Sequence, residues 1–227
     1  MRSWFTAIAI SASVGAHAAP PQRAEITYDV MYNGTSLAEV VEKLQHDDKT
    51  YSIEEDTRGK GPLAFLGQIR RTSRGIIGPH GLQPLEFTDE RPRRDPASAS
   101  FDWARRTLTM KFKGPPEVQP MPANAQDRLS VAFTFSFAVP GSQPVTVNSA
   151  DGKGISKYTY KVGGREPLKT PAGEFDTLKL VKQKDGPEDK STELWLAVDR
   201  GYLPVRLLIV DKDGTRIDQV ATRIDIP

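Results

Sequence analysis

Few side chains in this sequence are equipped to make or break a bond. The 227 residues include no cysteine, which removes thiolate catalysis, disulfides, cysteine-ligated zinc and a lipid-modified N-terminal cysteine together. There is no Gly-x-Ser-x-Gly elbow to expose a nucleophilic serine. The three histidines are scattered. His17 lies in a segment read below as removed, His46 stands beside Asp47-Asp48, and His80 lies between Pro79 and Gly81. Both later histidines sit in polar turn contexts and read as solvated. No HExxH element is present. Asp211-Lys212-Asp213-Gly214 begins like a calcium loop but lacks the later ligands and the closing Glu, so it reads as a hairpin turn. Gly59-Lys60-Gly61 and Gly152-Lys153-Gly154 lack the frame of a phosphate-binding loop. The expectation is therefore no catalytic residue, no metal ligand and no cofactor.

Two kinds of group remain. Glu54-Glu55-Asp56 offers carboxylates of the kind that cleave glycosidic bonds in pairs. On a strand they alternate faces, and sequence alone places no partner across the sheet, so a charged edge or exposed face is the simpler reading. Arginines at 70, 71 and 74 and at 91, 93 and 94 carry planar forks suited to phosphate or carboxylate. The candidate ligand-binding set joins Arg70, Arg71 and Arg74, for an anionic head group, to Phe133, Phe137 and Trp195, for an apolar wall. The competing reading is that the aromatics fill a core and the arginines are balanced by acids. That balance is real: 31 Lys+Arg face 29 Asp+Glu, a net charge of +2. Nucleic-acid binders show a larger basic excess, so none is expected as a partner.

The groups above would be delivered by an exported chain. Met1-Arg2 gives a positive start, WFTAIAISASV follows over 4–14, and Ala16-His17-Ala18 fits the small-x-small cleavage rule. This predicts a signal peptide over 1–18 and a single mainly-β domain over 19–227, released to the periplasm. The apolar run is too short to cross a hydrocarbon core of about 30 Å. No later stretch qualifies as a membrane span, so no integral membrane segment is expected in the mature chain.

The elements that position these residues read as strands. Ile26, Tyr28, Val30 and Tyr32 alternate, and Asn33-Gly34 is the preferred dipeptide of a type I′ hairpin. The return strand carries Ala38, Val40 and Leu44 on one side, and a third strand alternates Tyr51, Ile53, Glu55 and Thr57. Leu63-Ala64-Phe65-Leu66, set among glycines and Pro62, suggests a turn or cap packed under the sheet. Leu108, Met110 and Phe112 alternate on a later strand, and 114–122 reads as a loop or extended edge. Turn signals then recur through Asp151-Gly152, Gly163-Gly164, Ala172-Gly173, Gly201 and Asp213-Gly214, an all-β rhythm. Val205 to Val210 is apolar on both faces and is expected to be central. Residues 131–139, VAFTFSFAV, are ambiguous. Period 2 aligns Val131, Phe133, Phe135 and Phe137, whereas a start near Asn124 or Asp127 and a stop at Pro140-Gly141 would frame a helix.

Several stretches together resemble the bacterial family catalogued as domain of unknown function 3108. The most specific is Gly164-Arg165-Glu166 through Thr170-Pro171-Ala172-Gly173-Glu174-Phe175. Trp195 with Asp199, then Leu203-Pro204-Val205-Arg206, forms a second element, and Asp127-Arg128-Leu129-Ser130 a third. The resemblance implies an exported envelope protein, mostly antiparallel β, with no established activity, and a helix over 127–138 with Leu129, Phe133 and Phe137 inward. It departs at Leu37-Ala38-Glu39, where a Gly before Glu39 is expected and a local bulge is in question. The expected fold is a single curved antiparallel sheet forming a roll or open barrel, with one short helix packed on it. The expected role is non-catalytic binding of an apolar or amphiphilic envelope molecule, a lipid or an envelope glycan. The alternatives are an envelope scaffold and a carboxylate-based glycan hydrolase. A ligand site would leave a cavity of about 300 Å³ or more between helix and sheet.

Overall fold

A computed structural model describes residues 19–227; the expected leader, 1–18, lies outside the described residues. The first half is a meander of β1 (Arg23–Tyr32), β2 (Thr35–His46), β3 (Thr50–Gly59), β4 (Gln68–Gly78), β5 (Gly81–Glu90), β6 (Ala97–Asp102), β7 (Thr107–Lys111) and the short edge strand β8 (Glu117–Pro120). A three-residue strand, β9 (Ala125–Asp127), leads into the helix α1 (Ser130–Phe137). A second meander follows: β10 (Val145–Ala150), β11 (Ile155–Thr170), β12 (Gly173–Lys182), β13 (Ser191–Ala197), β14 (Leu203–Val210) and β15 (Arg216–Asp225). Strand β15 returns to pair with β1, so all fifteen strands form one sheet that runs from β8 through β1 and β15 to β9. The edge strands β8 and β9 do not pair with each other, and the barrel stays open. Every pairing is antiparallel except β9 with β10. Helix α1 packs against β5, β9 and β14, bridging the two meanders from within the curl.

Local chemistry sets the bends. Asn33 and Gly34 both take positive φ, 48° and 82°, as a type I′ turn requires. The bulge in question falls on Leu37: Val30 opposes Ala38 and Met31 opposes Ser36, while the Leu37 carbonyl accepts the Lys60 N–H at 2.8 Å. At Gly163-Gly164 the chain does not break into two segments. Strand β11 runs on, kinked by a bulge at Gly163, with Gly164 at φ 108°. The stretch Leu63 to Leu66 corrects the sequence reading. It forms a 3₁₀ turn with no buried residue. The last ladder pair below it is Arg58 with Gln68, so the loop leaves the barrel end with no apolar layer beneath it.

Helix wins over strand at 130–137, and burial explains why periodicity pointed the other way. The helix has apolar material on two sides. Phe133 belongs to one cluster, with Ile26, Tyr28, Phe87, Phe101 and Leu108. Val131 and Phe135 belong to another, with Val147, Tyr160, Leu180 and Leu194. A helix covered on both sides has no single apolar stripe to register at 3.6 residues. Its start is held by Asp127, whose Oδ1 accepts the N–H groups of Leu129 and Ser130 at 2.8 and 2.9 Å. These are donors that the first turn would otherwise leave unpaired. Leu129 and Phe133 are buried; Phe137 is half-buried against His46, ring edge to face at 4.9 Å.

Candidate functional site

A row of charged side chains crosses the inside of the barrel. Glu42 on β2 stands directly opposite Glu55 on β3, Glu55 opposite Arg71 on β4, and Arg71 opposite Asp89 on β5. All four are buried. Alternation accounts for their direction: Glu42 shares the phase of the core residues Val40 and Leu44, and Glu55 that of Tyr51 and Ile53. The Arg71 guanidinium pairs with Glu55 through Nη1, and its Nε lies 3.4 Å from Asp89. That second contact is an ion pair without hydrogen-bond geometry, since Nε has no hydrogen-bond partner. Arg91 clamps Asp89 from the far side at 2.7 and 3.0 Å. Burial raises the Asp89 pKa, but the hydrogen bonds from Arg91 and the charges of Arg71 and Arg91 outweigh it, and the net shift is downward.

Glu42 ends the row in a different state. Burial, reinforced by the charge of Glu55, pushes its pKa up to about 8. Its neighbours are Tyr28 and Gln219. The Tyr28 hydroxyl already donates to the Pro204 carbonyl at 2.8 Å. A phenol has one proton, so toward Glu42 its oxygen acts as an acceptor and a protonated Glu42 fits it.

Glu42, Glu55, Tyr28 and Gln219 form one end of a cavity of about 180 Å³ between α1 and the sheet. Leu129, Val131 and Ala132 of the helix line one wall; Tyr160, Leu194, Leu207 and Ile209 of the second meander line the other. Arg128, exposed, stands at its edge and has no ion-pair partner among the described residues. The space falls short of the about 300 Å³ or more expected from the sequence for a ligand site between helix and sheet, so it has room only for a small molecule. It compares with engineered cavities of about 150 Å³ that admit benzene. A more open recess of about 440 Å³ runs past the other end of α1, beside Trp103, Phe135, Val139 and Val147. Two carboxylates that cleave a glycan flank the scissile bond from opposite sides. Glu42 and Glu55 instead sit side by side on one wall.

The residues singled out from sequence are dispersed. Phe133 lies in the core behind the cavity wall, and Phe137 packs on His46. Trp195 follows the cavity-lining Leu194 and so faces the other side of β13. There its indole N–H donates to Glu166 at 2.6 Å, and Lys179 and Arg206 stack on its ring at 4.7 and 4.8 Å. Of the three arginines only Arg71 points inward. Arg70 and Arg74 are exposed on the outer face, paired with Asp56 at 3.2 Å and Glu54 at 3.9 Å. What sequence reading missed was Glu42, together with Tyr28, Gln219 and Arg128. The available signal was a charged residue standing in the apolar phase of β2.

Comparison with known proteins places the fold. No curated protein matches the chain. A crystal structure titled as a beta-barrel-like protein of domain of unknown function DUF1849, from Brucella abortus, superposes with a TM-score of 0.57 at 12% identity. It covers 92% of this chain and 100% of its own. A Bacteroides fragilis chain described as exported and of YmcC-like fold superposes less well, with a TM-score of 0.43 at 12% identity, over 91% of this chain and 98% of its own. The likeness to the Brucella abortus protein concerns architecture: a curled sheet of the beta-barrel-like kind. The motifs around Asp127, Pro171-Ala172-Gly173 and Leu203-Pro204 fall within residues 27–221, and over that span the chain belongs to the family described as protein of unknown function DUF3108.

Proposed function

We propose that this is an exported, non-catalytic binding protein of the cell envelope that takes up a small amphiphilic molecule between α1 and the sheet. The N-terminal pattern supports export, with cleavage after Ala18 and release to the periplasm. One observation carries the binding reading. The cavity of about 180 Å³ mixes an apolar lining with the polar side chains of Ser149, Thr192, Arg128 and Arg206, and in it Glu42 sits buried with its pKa pushed up to about 8. A carboxyl that keeps its proton can turn its one donated hydrogen bond from Tyr28 to a ligand oxygen, or accept one on its carbonyl oxygen, without bringing a charge. The apolar body of the ligand lies along Leu129, Val131, Leu194 and Leu207, and an anionic group meets Arg128 at the edge. Of the residues first singled out, Phe133 backs the helical wall and Arg71 holds Glu55, so both act from behind the ligand.

Filling the cavity tests this reading. Protein recovered from its native periplasm carries a small amphiphile that survives native mass spectrometry, and the emptied protein binds a hydrophobic fluorescent probe. Ala132→Trp, which places an indole in the cavity, abolishes both without altering the circular dichroism spectrum. Absence of any adduct, with equal probe binding by both proteins, overturns the reading in favour of a scaffold role.

A further inference from the structure

One end of the barrel carries an apolar projection beside unpaired positive charge. The antiparallel order places the β3–β4, β5–β6, β7–β8 and β10–β11 connections at the same end. The β3–β4 connection is the 3₁₀ turn Gly61–Leu66, and at its tip Phe65 is 79% and Leu66 54% exposed. Scattered exposed leucines are ordinary, but a phenylalanine this bare at the tip of a projecting turn is not. The β5–β6 connection is Arg91 to Pro96. Its Pro92 packs directly over Gly67, where an added Cβ would come within 2.7 Å of the proline ring. The apolar turn and the arginine loop are therefore one surface.

The charge on this surface is unbalanced. Arg93 and Arg94 are exposed and share a recess with Lys113, Phe112 and Asp95. Lys113 and Lys153 both lie over the Phe112 ring, at 5.3 and 4.8 Å. Lys153 is brought there by the β10–β11 turn, whose Gly152 abuts the Ser98 backbone. None of these four cations has an ion-pair partner among the described residues, and Asp95 is the acid that lines their recess. Across the barrel, the β12–β13 and β14–β15 loops pair most of their acids, Glu188 with Lys212 at 2.5 Å, Asp211 with Lys190 at 2.6 Å and Asp189 with Lys182 at 2.7 Å, and leave Asp185 and Asp213 without an ion pair among the described residues.

We propose that this end of the barrel docks on an anionic phospholipid surface, with Phe65 and Leu66 entering the headgroup layer and Arg93, Arg94, Lys113 and Lys153 meeting the phosphates. Two apolar side chains on one tight turn are too little for a stable protein interface, which needs about 1,200 Å². They suit shallow insertion of about 5–10 Å, and a basic flank supplies the attraction that such weak insertion lacks. The docking is independent of what fills the cavity, although the two are near each other. Tyr158 and Thr192 at the starts of β11 and β13, and Ile209 at the end of β14, put part of the cavity lining toward this same end.

Residues 19–227, which hold the whole sheet and both apolar clusters, are mixed with vesicles of phosphatidylcholine alone or enriched in phosphatidylglycerol, and sedimented. Binding is expected to the anionic vesicles and to weaken as salt is raised. Arg93→Glu with Arg94→Glu should cut the partition coefficient about thirtyfold or more. Phe65→Ser with Leu66→Ser should cut it about tenfold or more. All four side chains are exposed, so thermal melts should match the parent and keep loss of binding distinct from loss of fold. Failure to sediment with anionic vesicles overturns the proposal. So does binding that neither double variant weakens, and so does a variant that loses a co-purifying protein while keeping its vesicle affinity.

Discussion

Two of the carboxyl groups buried inside this barrel, Asp127 and Glu42, are treated differently. Asp127, at the foot of α1, is fully covered and rich in donors. Ser73 Oγ donates to it at 2.5 Å, the N–H groups of Leu129 and Ser130 at 2.8 and 2.9 Å, and Tyr51 supports Ser73 from 3.0 Å. Burial pushes its pKa up and those donors pull it back, leaving it at about 6. Glu42 is as deep but has Tyr28, Gln219 and a second carboxylate for company, and rests at about 8. Desolvation acts on both; the charge of Glu55 beside Glu42 and the donors around Asp127 separate them. Asp127 is committed to the fold, whereas Glu42 stands at the end of a cavity with hydrogen-bonding capacity to spare.

The largest loss is expected at Arg71, the cation between Glu55 and Asp89 in the row that Glu42 ends. Arg71→Met removes the charge that holds Glu55 and faces Asp89, leaving buried carboxylates uncompensated, and should cost about 3–5 kcal/mol. Urea unfolding measures it. A loss below about 1 kcal/mol would mean that Arg91 alone neutralises the row. Asp127→Ala comes next. It strips the first turn of α1 of its acceptor and strands Ser73, for about 2–3 kcal/mol, with faster amide exchange through 129–134 as its local signature. Trp195→Phe is milder, about 1 kcal/mol, because it deletes the donor to Glu166 and weakens the stacking of Lys179 and Arg206. It sharpens the division between the two faces of β13: probe uptake in the cavity should be unchanged, and a drop would show that Trp195 communicates with Leu194 across the strand.

Much of the frame was legible in the sequence because it is encoded locally. Asn33-Gly34 announces its turn, and the alternations of β1, β3 and β7 announce their inner faces. The helix was legible through its frame, Asp127 before it and Pro140-Gly141 after it, and through the Asp127-Arg128-Leu129-Ser130 motif, but not through its period, since VAFTFSF is buried on two sides and its apolar residues follow two neighbours instead of one stripe. The charged row was hidden for another reason. Glu42, Glu55, Arg71 and Asp89 meet through cross-strand register over four strands, and register is a property of the paired sheet. Glu42 and Glu55 each left a local trace, a charge standing in an apolar phase, whereas Arg71 shares its phase with Ser73 and Gly75 and left none. The same logic split the arginines: Arg70 and Arg74 fall in the outward phase of β4 and Arg71 in the inward one. Phe65 and Leu66 were misjudged because apolar character alone does not say whether a layer lies beneath it.

The smallest effect at acid pH is also the one that separates Glu42 most cleanly from Asp127. In the folded protein Glu42 holds its proton up to about pH 8, whereas its ordinary value is 4.5. Below about pH 4.5 both states carry the proton, and this group's contribution to stability is fully present. As pH rises, the unfolded chain releases the proton and the folded one does not, so stability drains away until the folded carboxyl also ionises near pH 8. The slope is at most about 1.4 kcal/mol per pH unit. Asp127, with its folded value near 6, drains stability in the same direction but completes its change lower. Between pH 6 and 8 the slope is thus mainly that of Glu42. Glu42→Gln keeps the shape and removes the titration. It should match the parent near pH 4.5, exceed it by a margin that grows toward pH 8, and level off beyond, as followed by urea melts across that range. A variant that is less stable than the parent at pH 7, with no growth in the difference, would mean that Glu42 is ionised in the fold and held by Arg71. The cavity would then end in a charge, and its ligand would have to carry a cation there in place of an oxygen.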